Sequence, residues 1–137
     1  MLDALIPTRF LVTLAHLLVV VMLFSSKDQN IKVALPVKYD QTHFDDLDTE
    51  LTVGLWVALG CLVIELLGLF GGYTIFRTGM TLFHIVCHFV GCVMLTFFIT
   101  ESWHYSTFWY IFVLFSAPPA LAELSVIVGS AVRGDSY

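Results

Sequence analysis

Residues 51–72 read LTVGLWVALGCLVIELLGLFGG, a run of twenty-two positions with a single charge, Glu65. A helix needs about 20 predominantly apolar residues to cross the hydrocarbon core of a bilayer, so this stretch predicts a transmembrane helix. Three more stretches surround it. Met80–Thr100 contains His84 and His88, and Thr107–Val132 contains Glu123. The first stretch, about residues 7–24, has Arg9 at its mouth and His16 inside, and it spans only if the residues before Phe10 are counted. It lacks a small-x-small cleavage site, so it reads as a retained span and not as a signal peptide. Strands of a membrane barrel are about 10 residues long and alternate in polarity; these stretches do neither. The predicted fold is an all-α, integral membrane four-helix transmembrane bundle in one domain, with spans at about 7–24, 51–72, 80–100 and 107–132 and a polar loop at 25–50.

The composition agrees. Of 137 residues, 58% are hydrophobic and 12% charged, about half the charged fraction of ordinary soluble domains, and mean hydropathy is +0.89. A soluble globular domain and a disordered chain are both excluded. Three cysteines in so apolar a chain do not make a disulfide scaffold. Cys61, Cys87 and Cys92 all fall within spans and read as small apolar core residues. A net charge of −5 excludes a basic nucleic-acid binder.

Basic residues do not fix the orientation by number, with Arg9, Arg77 and Arg133 on one face and Lys27, Lys32 and Lys38 on the other. The arginines lie in short segments at span ends, where the positive-inside rule is strongest, so both termini are expected in the cytosol. Trp56, Trp103, Trp109 and Tyr110 then mark the opposite, outer interface, since indole and phenol rings settle at the headgroup layer. Asp45, Asp46, Asp48 and Glu50 precede the second span and suit the positive end of its dipole, with Asp48 or Thr49 expected as its cap. As a calcium loop the cluster lacks the required glycine and ligand spacing.

Charges inside a bilayer cost about 3 kcal/mol on insertion scales, so His16, Glu65, His88 and Glu123 each need a reason. Each span supplies one of them, and at 1.5 Å per residue all four fall roughly 9–14 Å from the proposed cytosolic boundary. The plainest reading is a structural polar layer that pairs across helices. Two others stay open at this point: a metal or haem site built on His84, His88 and Cys92 with Glu65 or Glu123, and proton or ion movement along the Glu/His layer. Pro118 and Pro119 predict a kink that frees the carbonyls of Leu114 and Phe115. Gly68 and Gly72 form a GxxxG motif for close packing within the bundle or against a second copy. There is no phosphate loop, nucleophile elbow or H-E-x-x-H motif, so no catalytic, cofactor-binding or metal residue is assigned and no enzyme is expected.

One resemblance adds to this. Pro7-Thr8-Arg9-Phe10-Leu11, Leu14-Ala15-His16-Leu17, the run from Leu23 to Ile31 and Leu35-Pro36 occur in order, followed by Glu65-Leu66 and Phe97-Phe98-Ile99 with Trp103. Trp109-Tyr110-Ile111-Phe112-Val113, Ser116-Ala117, Pro119-Ala120 and Glu123 complete the series. The chain resembles the transmembrane protein 107 family along nearly its whole length. The resemblance implies a non-enzymatic four-span protein of the ciliary transition zone, within the Meckel syndrome complex. It implies tectonic-type and other transition-zone membrane proteins as partners, a role in cilium assembly and the ciliary membrane barrier, and no cofactor. It also favours the structural reading of the polar layer. Family members end in a lysine-rich tail, whereas this chain ends Arg133-Gly134-Asp135-Ser136-Tyr137.

Overall fold

The first three long apolar stretches each carry a seam of buried residues, mostly at alternating three- and four-residue steps. On the first helix it runs Arg9, Thr13, His16, Val20, Leu23, Asn30; on the second Leu51, Leu55, Ala58, Leu62, Glu65, Leu69; on the third Thr81, His84, His88, Gly91, Leu95, Phe98. Such a repeat keeps one stripe of each helix facing its neighbours. The other faces expose Leu, Val and Phe to the surroundings, as lipid-facing surfaces do. The computed structural model describes residues 2–134, with side chains from residue 4 onward; Asp135-Ser136-Tyr137 lie outside the described residues.

The described chain is all-α: α1 Leu2–Ala34, α2 Gln41–Phe70, α3 Thr78–Thr100, α4 Thr107–Ile111, a π turn Phe112–Ser116, and α5 Ala117–Arg133. Four helical segments are long and apolar enough to cross a membrane, the fourth being the continuous run Thr107–Arg133. α1 packs against α2 and α3, α2 against α5, and α3 against α4 and the π turn. The bundle is therefore a ring in the order α1, α2, fourth span, α3, and the pairs α1–fourth span and α2–α3 face one another across its middle.

The segment 25–50 is not the loop expected. α1 continues to Ala34 and α2 begins at Gln41, leaving a short turn that contains Pro36, where proline disfavours further helix. The 33 residues of α1 extend about 50 Å at 1.5 Å per residue, more than the roughly 30 Å hydrocarbon core. The extension holds because α1 and α2 stay paired there. Leu35, Phe44 and Leu47 pack onto the core, and Lys27 pairs with Asp48. The cap also differs. Asp40 holds the N-cap position of α2, without a side-chain bond, while Thr49 donates back to the Asp45 carbonyl at 2.8 Å.

Helix ends are closed by specific chemistry. At the end of α2, Gly72 has φ +76°, its N–H donates to Leu69 O, and Tyr73 N–H donates to Gly68 O. At the end of α3 the same 5→2 and 6→1 pattern runs through Ser102 and Trp103, to Ile99 O and Phe98 O; both are Schellman motifs. Ser102 takes φ +48° there, a conformation that favours glycine. Asn30 of α1 reinforces this end: its Nδ2 donates to Phe98 O and Trp103 O, both at 2.7 Å.

Pro118 and Pro119 occupy the first turn of α5, and the preceding turn is π. A π turn holds one extra residue, so the fourth span accommodates its missing proline donors by widening before them. The three tryptophans gather at one end. Trp103 stacks on Phe97, Trp56 meets Phe24 edge-on, and Trp109 Nε1 donates to Glu50 Oε1 at 3.1 Å. Tyr110 is mostly exposed.

Candidate functional site: a buried ionic cluster

The interior divides along the bundle axis. Toward the tryptophan end it is apolar, with Val20, Leu23, Leu51, Leu55, Ala58, Leu62, Leu95, Phe98, Phe108 and Ile111 buried together. Toward the other end α1, α2, α3 and α5 carry Arg9, His16, Glu65, His84, His88 and Glu123, and the turn between α2 and α3 adds Thr74, each no more than 2% exposed.

Arg9 is the largest of these and the one most unlike its expected position. It does not sit at the mouth of the first span facing headgroups. Its Nη2 donates to Glu123 Oε2 at 2.8 Å and its Nη1 to Thr74 Oγ1 at 2.9 Å. Thr74 in turn lies 2.8 and 3.0 Å from the two Glu123 oxygens. The burial of Arg9 is possible because a carboxylate and a hydroxyl satisfy it together; an unpaired charge there would be costly. Gly68 makes room for the acid, since a Cβ at that position would overlap the Glu123 carboxylate.

A second chain of contacts joins the other diagonal. His88 Nε2 lies 2.5 Å from Glu65 Oε2, and His88 Nδ1 lies 3.0 Å from His16 Nδ1. With Glu65 ionised, Nε2 of His88 donates to it. Nδ1 of a neutral His88 is then an acceptor, and His16 donates through its own Nδ1. His16 fits because Gly91 faces it; a Cβ on Gly91 would come within 2.9 Å of His16 Cε1. His16 Nε2 is buried without a partner.

His84 connects the two halves. Its Nδ1 is 2.8 Å from the Met80 carbonyl, which only accepts, so Nδ1 carries a hydrogen. Its Nε2 faces Glu123 Oε2 at 3.4 Å and Glu65 Oε2 at 3.8 Å. Arg9 and Glu123 thus bridge α1 and the fourth span, and Glu65 and His88 bridge α2 and α3. Both bridges cross the middle of the ring.

The sequence places His16, Glu65, His88 and Glu123 in one layer. The structure links them side chain to side chain. His16, His88 and Glu65 are in direct sequence, and Glu123 joins them through His84 while holding Arg9 and Thr74 on its other side. Arg9, Thr74 and His84 are the residues the layer reading left out. A signal for Arg9 and Thr13 exists in the sequence, because they precede His16 by seven and three residues and share its helix face. Thr74 lies in the turn between α2 and α3, where no periodicity points to it. Cys92 is half-buried on α3 and Cys87 is buried. Among the described residues no three His, Cys, Asp or Glu side chains converge in metal-holding geometry.

The fold and its site define a four-span helical membrane protein with a polar, ion-paired half-core. The family model described as TMEM107, transmembrane protein, matches residues 5–127. The chain is 42% identical to human transmembrane protein 107 over 126 residues, covering 92% of this chain and 90% of the human protein. Its identity to the zebrafish (Danio rerio) protein of that name is 37% over 131 residues, covering 96% and 97%, and to the rat protein 38% over 126 residues, covering 92% and 90%. The chain belongs to the transmembrane protein 107 family. No solved structure matches it. The shared name describes a membrane protein and carries no enzymatic activity.

Proposed function

We propose that this chain is a membrane component of the ciliary transition zone, with both termini in the cytosol, which helps recruit or retain partner proteins there. In this reading it supports cilium assembly and the diffusion barrier of the ciliary membrane without catalysing a reaction. Its partners are other transition-zone membrane proteins, tectonic-type and Meckel syndrome complex members among them.

The observation that carries the reading is the likeness to transmembrane protein 107 across nine-tenths of the chain. The form of the molecule is consistent with it. The ionisable side chains of the interior engage mainly one another, which suits a rigid element of an assembly. The paired ends of α1 and α2 offer a surface beyond the membrane, with Val33, Val37 and Tyr39 exposed at the tip.

The test is localisation of a tagged copy in ciliated cells at near-native expression, co-stained for basal body and axoneme. The reading expects a narrow signal between the two, and loss of partner proteins from that position on deletion of the gene. A signal spread over endoplasmic reticulum or plasma membrane, with partners undisturbed on deletion, would overturn it.

A further inference from the structure

The cluster carries more negative than positive charge as drawn from its fixed ions. Arg9 is matched by Glu123 at 2.8 Å, which leaves Glu65 without a fixed counter-ion. The groups facing this point are Arg9 and His16 from α1, Glu65 and the Cys61 thiol from α2, His84, His88 and Cys87 from α3, Thr74 from the intervening turn, and Glu123 from α5.

The hydrogen positions forced by the geometry sharpen the problem. His84 Nδ1 is committed to the Met80 carbonyl, so in a neutral His84 the lone pair on Nε2 points at two carboxylate oxygens, 3.4 and 3.8 Å away. A buried acceptor against two buried acceptors is an arrangement a protein interior avoids. His84 Nε2 is also without a hydrogen-bond partner and fully buried. One added hydrogen ion resolves both difficulties. It turns the acceptor into a donor aimed at Glu65 and Glu123, and it brings the sum to two positive and two negative charges.

We propose that the bundle contains a specific binding site for one proton, formed by His84 Nε2 and the Oε2 atoms of Glu65 and Glu123. The proton comes from water as the bundle assembles and returns to water when the site opens; no other bond forms or breaks. The hydrogen-bonded chain from Glu65 through His88 stops at His16, whose Nε2 is buried and without a partner.

The full-length chain, labelled with 15N-histidine and set in phosphatidylcholine nanodiscs at pH 7, reports the proton directly. Nitrogen shifts distinguish an imidazolium from either neutral tautomer, and the infrared carboxyl stretch reports a protonated Glu. The proposal expects one bound proton: either an imidazolium at His84 with no protonated carboxyl, or a neutral His84 with one. Neutral His84 with both acids ionised would overturn it, as would an imidazolium together with a protonated acid. Because this measurement uses the unaltered chain, it does not depend on a variant folding. Glu65→Gln and Glu123→Gln each remove one negative charge, so in either the bound proton is expected to disappear completely; a variant that folds and keeps it would count against the charge balance.

Discussion

Gly68 on α2 and Glu123 on α5 are in such close register that any side chain on the first would overlap the carboxylate of the second. The glycine serves a charge here, by letting a glutamate from the neighbouring helix reach Arg9 and Thr74. Gly68→Ala forces that carboxylate out of place. Overpacking costs about 1–3 kcal/mol, and a displaced ion pair adds to it. Gly60→Ala has open space around its new methyl group and removes a glycine from a helix interior, so it is expected to match the parent or exceed its stability by up to about 1 kcal/mol. Thermal unfolding of the two variants in the same nanodiscs separates them; equal midpoints would contradict the packing described.

Ser102 holds a left-handed conformation at the end of α3, whereas α2 places Gly72 at the equivalent position. A residue with a Cβ loses roughly 1 kcal/mol there, so Ser102→Gly is expected to raise stability by about that amount, and Gly72→Ala to lower it similarly. Denaturation of both variants, compared with the parent, gives the opposite signs required.

Asn30 is buried deep in the α1 seam and donates to two carbonyls at the end of α3. Asn30→Leu leaves both without that donor, and Asn30→Asp replaces the donor with an acceptor. Each is expected to cost about 1–3 kcal/mol and to speed amide hydrogen exchange around residues 98–103. Unchanged exchange there would show that α3 ends without help from α1.

The double variant Pro118→Ala/Pro119→Ala restores two backbone donors and allows the π turn to close into an ordinary helix. Removing one residue from a turn rotates the segment before it by about 100° relative to α5. Phe108, which packs against Gly54, would leave the core. The expected results are new amide protection at positions 118 and 119 and a lower unfolding midpoint. Protection without loss of stability would mean that the π turn does not set the register of α4.

Much of this was legible in the sequence. Length and apolar content define the four spans, and Glu65 and His88 stand out because a charge in such a stretch needs a partner. Two things were hidden. Lys27, Asp48 and their neighbours read as loop because they are polar, yet helix pairing there depends on a few packed residues such as Phe44 and Leu47 and not on overall hydropathy. Arg9 was hidden by its place in the chain. Near a span end an arginine ordinarily snorkels to the headgroups, and only the approach of Glu123, 114 residues away, makes burial the better state. Thr74 follows from the same long-range geometry.

The Arg9–Glu123 ion pair, with Thr74 bonded to both, holds the ring together across its middle. A double-mutant cycle on Arg9 and Glu123 tests it most directly, read as unfolding free energy in nanodiscs. Arg9→Met and Glu123→Met each strand a buried charge and are expected to lose about 3–5 kcal/mol. The double variant strands neither member of the pair and is expected to recover most of that loss, giving a large coupling energy. Losses that simply add in the double variant would contradict the account.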